Sequence, residues 1–201
     1  MTGTPPLVEE DLRRWNLLAN QAAFDVEGVR NSCILTSSAL VEFPHLLGRH
    51  DARVFRAEAH AHTRDRYTCG SAVGWDGDGS RRAKSDGWSG HLAVECGTWV
   101  LDLTLDQLDP GGISVSPAVF RKPDGYDTTP PLWQQRVWHE WTERDLIIRH
   151  ARHWKQIGWK SKPAARPSAW REVVAVMLEQ AAPEDFDRLV ESGAILIDEE
   201  T

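Results

Sequence analysis

A chain of 201 residues with a formal net charge of −7, 41% apolar and 26% charged, has the make-up of an ordinary globular protein with room for one core-bearing domain and appended elements. The acidic balance argues against a nucleic-acid binder, whose minimum sign is a basic footprint, and the basic stretch from Arg144 to Lys162 reads as a solvated face. No apolar run approaches the roughly 18 residues of a membrane span. The first ten residues lack the basic and apolar regions of a signal peptide. Three cysteines (Cys33, Cys69, Cys96) in no metal-knuckle spacing read as reduced thiols, so a cytoplasmic protein is expected.

In chain order, Leu12, Trp15, Leu18, Ala19, Ala22 and Ala23 recur at three- and four-residue spacing and predict a helix over 8–24, broken by Gly28. Asn31 or Ser32 can cap a second helix from Cys33 to Leu47, with Pro44 bending its last turn and Gly48 stopping it. Residues 52–60 alternate as a strand. Residues 74–90, rich in glycine and charge, read as a long loop. His91–Glu95 and Trp99–Leu103, joined by Cys96-Gly97-Thr98, read as a hairpin. Residues 109–131, with Gly111, Gly112 and several prolines, read as another loop. Within 134–154 the alternation of Asp145-Leu146-Ile147-Ile148-Arg149 favours a strand, while the charge pattern also permits a helix. Residues 168–182 are helical, with Ser168 as a possible cap, and Pro183 starts a further short helix. Helices, then antiparallel strands, then helices make an α+β arrangement rather than a parallel doubly wound sheet.

Three residues fall where a thiol chemistry would need them. Cys33 opens an apolar helix, whose N-terminal partial positive charge favours a thiolate. His91 begins one hairpin strand, and an imidazole beside a thiol can take its proton and later return it to a leaving group. Asp102 lies on the paired strand, where a carboxylate can hold the other imidazole nitrogen. The first amides of the helix can stabilise an oxyanion. Asp106 is a rival orienter, although Thr104, Asp106 and Gln107 can equally form a local hydrogen-bonded turn. Asn31 and, less directly, Gln21 are candidates for a further oxyanion donor.

The segment Asn31-Ser32-Cys33-Ile34-Leu35-Thr36-Ser37-Ser38-Ala39-Leu40, followed by a Leu-Leu-Gly stop and the strand Ala52-Arg53-Val54, resembles the nucleophile helix of transglutaminase-like cysteine proteins. Gly90-His91-Leu92-Ala93-Val94-Glu95 and Trp99-Val100-Leu101-Asp102-Leu103-Thr104-Leu105-Asp106-Gln107-Leu108 resemble the histidine and aspartate strands of that superfamily. The Asp-x-Thr-x-Asp-Gln run is the most specific piece. The position after the histidine, commonly aromatic in the family, is Leu92 here. The resemblance covers residues 28–110. It implies a papain-like/transglutaminase-like fold in which an N-terminal nucleophile helix packs on an antiparallel sheet. It further implies Cys33 as nucleophile, His91 as base and Asp102 as orienter.

The expected domain division is a catalytic domain over 1–160 with a C-terminal helical extension, 161–201, packed on it. The expected function is a cysteine-dependent hydrolase or acyltransferase. It would work on an amide or peptide bond of a peptide or protein substrate through a thioester, with no cofactor or metal. The alternative is an inactive member of the fold that serves as a protein-binding module. The superfamily contains both. His60-x-His62 puts two imidazoles on one strand face and, with Cys69 or His91, would make a zinc site, a spacing of little specificity. Cys69 and Cys96 read as ordinary thiols. His139, His150 and His153 show no pattern that assigns them a role.

Overall fold

The computed structural model describes residues 8–28, 33–64, 70–73, 90–128, 139–152 and 159–191. Helix α1 (Glu9–Glu27) buries the periodic set Leu12, Trp15, Ala19, Ala22 and Ala23. It ends where Gly28 turns to φ 64° and donates its amide to the Phe24 carbonyl, a left-handed stop that favours glycine. Helix α2 (Cys33–Leu46) buries Leu35, Ala39, Leu40 and Phe43 and carries Pro44 in its last turn. Gly48, at φ 76°, closes the turn that follows. The capping role read for Asn31 or Ser32, the loop 74–89, Cys69 and His153 lie outside the described residues.

The strands are β1 (Arg53–Thr63), β2 (Gly70–Val73), β3 (His91–Cys96), β4 (Trp99–Asp102), β5 (Ala118–Arg121), β6 (His139–Glu143) and β7 (Leu146–Arg152). They form one sheet in the order β5-β4-β3-β1-β7-β6, with β2 paired to β1. Every described pairing is antiparallel, which is the α+β arrangement expected. The expected hairpin is β3–β4, turned at Gly97.

Two expectations need correction. Residues 109–131 hold a strand, β5, four residues long between Pro117 and Pro123 and too short to show an alternation. The final pair of helices, α3 (Pro167–Glu179) and α4 (Pro183–Glu191), follow the expected course, but Ser168 is not the cap. α3 starts at Pro167, and Arg166 in the cap position makes no side-chain capping bond. Proline at the first helical position has its ring already at the helical φ and no amide to leave unpaired.

One face of the sheet is covered by the helices. Val94, Cys96, Trp99, Leu101 and Val119 pack there with Trp15, Leu40, Phe43, Val173, Met177 and Leu189 in a single core. Trp15 and Phe43 meet edge-to-face at 5.9 Å, worth about 0.5–1.5 kcal/mol beyond burial. Asp185, fully buried, fastens α4 by accepting from the indole of Trp15 (3.0 Å) and the guanidinium of Arg14 (2.9 Å).

The other face is concave, because the two ends of the sheet curl toward one another. Phe120 of β5 stacks on His139 of β6 at 4.0 Å between ring centroids, although four strands separate them in the sheet order. Ser116 also donates its amide and hydroxyl to Glu143 of β6. Alternation along β1 places Ala57, Ala59 and Ala61 on this inner face, all fully buried. Small side chains at the centre of the curl leave room for larger ones to converge from the flanking strands. Among the described residues no helix is long and apolar enough to cross a membrane.

Candidate active site

The converging side chains are His91, Asp102 and His150, each fully buried. The register accounts for their meeting. His91 pairs with Ala57 on one side of β1, and His150 pairs with Ala59 on its other side, so both rings project over an alanine floor. Asp102 ends β4, next to β3, on the same face.

Asp102 is the hub. Its Oδ2 lies 2.6 Å from Nε2 of His91 and 2.8 Å from Nε2 of His150, and its Oδ1 accepts the Thr104 amide at 3.3 Å. Burial by itself raises a carboxyl pKa, but the His91 charge and the bonds from His150 and His91 hold Asp102 well below the usual carboxylate range. An ionised carboxylate only accepts, so both Nε2 atoms are donors. The Tyr126 hydroxyl lies 2.7 Å from Nδ1 of His150. Burial and the Asp102 charge raise its pKa well above the ordinary phenol value, with Arg152 opposing. Tyr126 therefore keeps its proton, and its hydroxyl shares a hydrogen bond with Nδ1 of His150 while the proton on His150 Nε2 goes to Asp102.

Cys33 approaches the same cluster from the first residue of α2. The helix is locked to β3 beside the histidine, because the buried Ser37 hydroxyl donates to the Leu92 carbonyl at 3.4 Å. Burial depresses the His91 pKa, but the Asp102 charge and hydrogen bond, followed by hydrogen-bonding and charge interaction with Cys33, outweigh it and lift the value to about 10. With Nε2 committed to Asp102, the nitrogen left for the thiol is Nδ1, which closes no hydrogen bond of standard geometry among the described residues. Cys33 is 7% exposed.

The structure thus brings Cys33, His91 and Asp102 together, and it chooses between the two candidate orienters. Asp102 holds His91, whereas Asp106 lies in the single 3-10 turn Leu105–Gln107 that follows. Gln21 donates to Asp25 on the exposed side of α1, away from the cluster. Parity separates His60 and His62 from His91. They occupy even positions of β1, and His91 aligns with odd Ala57, so the three cannot share a ligand. Among the described residues no group of three His, Cys, Asp or Glu could hold a metal ion. Cys96 is a second buried thiol, whose pKa burial and the neighbouring Asp51 push up to about 11 against the pull of Arg49. That favours an inert thiol.

Two members of the cluster had no assigned role in the sequence. His150 follows its strand pattern but is 48 residues from Asp102, and Tyr126 sits in a 3-10 turn after β5. The one local cue is alternation within β7, which puts His150 on the same face as Leu146 and Ile148.

No family model matches the chain, and no curated protein or solved structure is similar enough to count as a match. The class of the protein rests on its own architecture: an α+β chain whose antiparallel curled sheet carries helices on one face and a buried polar cluster on the other.

Proposed function

We propose that the chain is a cysteine-dependent hydrolase or acyltransferase of transglutaminase-like, papain-like fold, acting on an amide bond of a peptide or protein. The observation that carries this reading is the 2.6 Å contact of His91 with Asp102, in a ring that Cys33 also contacts from a helix start.

In this reading His91 takes the Cys33 proton on Nδ1 and keeps it as an imidazolium stabilised by Asp102. The thiolate sulfur attacks the carbonyl carbon of the substrate. The resulting oxyanion is met by amides of the first turn of α2, which at any helix start lack intrahelical partners. When the tetrahedral centre collapses, the C–N bond breaks, the amine leaves with the proton returned from His91, and a thioester remains on Cys33. His91 then deprotonates a water or a second amine. Its attack on the thioester releases acid or new amide and restores the thiol.

The test is labelling with an electrophilic thiol probe of wild type, Cys33→Ala and Cys96→Ala at near-neutral pH. Wild type and Cys96→Ala are expected to label alike and Cys33→Ala to stay blank. Equal labelling of Cys33→Ala and wild type would sink the nucleophile assignment and leave a binding module on the same fold as the better reading.

A further inference from the structure

Asp102 serves two imidazoles through one oxygen, and a triad uses only one of them. His150 reaches that oxygen from the opposite side of the alanine floor and is itself fixed by Tyr126. Phe120 closes over the back of its ring at 5.3 Å in edge-to-face contact, and Tyr126 stacks against it at 6.1 Å. The imidazole is thus held at both ring nitrogens and against two aromatic rings. Its proton on Nε2 points at Oδ2, the atom that also receives His91.

We propose that His150, held by Tyr126, is a positioning residue for the Cys33–His91 pair. By pinning Oδ2 of Asp102, it fixes the plane of the His91 ring and turns Nδ1 toward the thiol. The inference deepens the proposed function and rests on it. A carboxylate held only by the Thr104 amide at 3.3 Å would be free to turn about its side-chain torsions, and the His91 ring would follow. A second donor on the same oxygen removes that freedom. The titratable and charged groups around His150 are Asp102 and Tyr126 in direct contact, His139 as its strand partner on β6, and Arg152 and Asp127 beyond Tyr126.

The experiment needs no substrate. The full chain is alkylated with iodoacetamide, and the second-order rate at the Cys33 peptide is read by mass spectrometry at pH 6 and at pH 9.5, where an ordinary thiol is largely ionised. His150→Phe is expected to slow Cys33 about tenfold at pH 6, the scale of one charge-assisted hydrogen bond, and to change it less than about twofold at pH 9.5. His150→Gln, whose amide can donate to the same oxygen, should stay within about threefold of wild type, and Tyr126→Phe, which loses only the hydroxyl, should fall about threefold at pH 6. The inference is overturned if folded His150→Phe matches wild type at pH 6, if it slows equally at both pH values, or if His150→Gln is as slow as His150→Phe. Should His150→Phe not fold, an unchanged pH 6 rate in Tyr126→Phe overturns it. Wild-type Cys33 reacting at pH 6 no faster than an ordinary peptide thiol defeats the proposed function instead, a separate and recognisable result.

Discussion

Replacing Asp102 by asparagine changes one atom's chemistry and almost no volume. Oδ2 accepts from two imidazoles and Oδ1 from the Thr104 amide, so all three neighbours are donors. An asparagine offers one acceptor and one donating amino group. With its oxygen toward the histidines, its amino group faces the Thr104 amide. Flipped, its amino group faces both Nε2 atoms, moves the His91 proton to Nδ1 and blocks the nitrogen the thiol needs. The charge is lost in either case. A His91 pKa lifted from 6.5 to about 10 corresponds to about 5 kcal/mol in favour of the imidazolium. Without the Asp102 charge and hydrogen bond, the burial that depresses the His91 pKa loses its largest opponents, and the imidazolium is no longer favoured. Cys33 then has no cationic partner to take up its proton. About 1.4 kcal/mol of that ion-pair stabilisation is already worth tenfold, so iodoacetamide alkylation at pH 6 should slow at least about tenfold. The assay is the rate at the Cys33 peptide in folded Asp102→Asn and wild type. A rate within about threefold of wild type would refute the ion-pair reasoning.

The His91–Asp102 pair should also shape stability against pH. A raised histidine pKa contributes stability that is full below about pH 6.5 and lost as pH rises through about 10. The lowered Asp102 pKa contributes stability present above about pH 4 and lost in acid. The difference in urea unfolding free energy between wild type and Asp102→Asn should therefore be largest between these limits and shrink toward pH 10; a difference independent of pH contradicts the assignment. His139 behaves oppositely. Burial, helped by His150, lowers its pKa to about 4, so its unfolded form binds protons first and stability falls with pH from about 6.5 downward. His139→Gln should make that decline shallower in thermal melts. Phe43→Ala opens a cavity between α2 and α1 and should cost about 3–5 kcal/mol in urea unfolding. Asp185→Ala strands the Trp15 indole in the core and frees α4; a loss of about 1–3 kcal/mol is expected, with Cys33 alkylation unchanged.

Local rules recovered the elements that are long or sharply punctuated. The spacing of Leu12, Trp15, Ala19 and Ala22 defined α1, glycine 28 ended it, and the tight Gly97 turn set the β3–β4 pairing that carries His91 and Asp102. They failed at β5 and β2, four residues each, because such strands exist through their neighbours and not through their own pattern. Sequence also placed Cys33 at a helix start, since helix boundaries follow from nearby residues.

Which carboxylate met His91 was another matter. Asp102 and Asp106 are both near in sequence, and only the path of β4 into a 3-10 turn put one of them against the ring. Tyr126 lay beyond sequence reasoning, and for His150 the alternation of β7 gave a face but no partner. Their contact with Asp102 exists because the sheet curls until β5 meets β6, bringing rings from distant strands over the alanines of β1. The sequence by itself determined the helix start, the hairpin and the types of residue placed on them. Tertiary structure decided the convergence, because curvature belongs to the whole set of strands and is encoded in no single one.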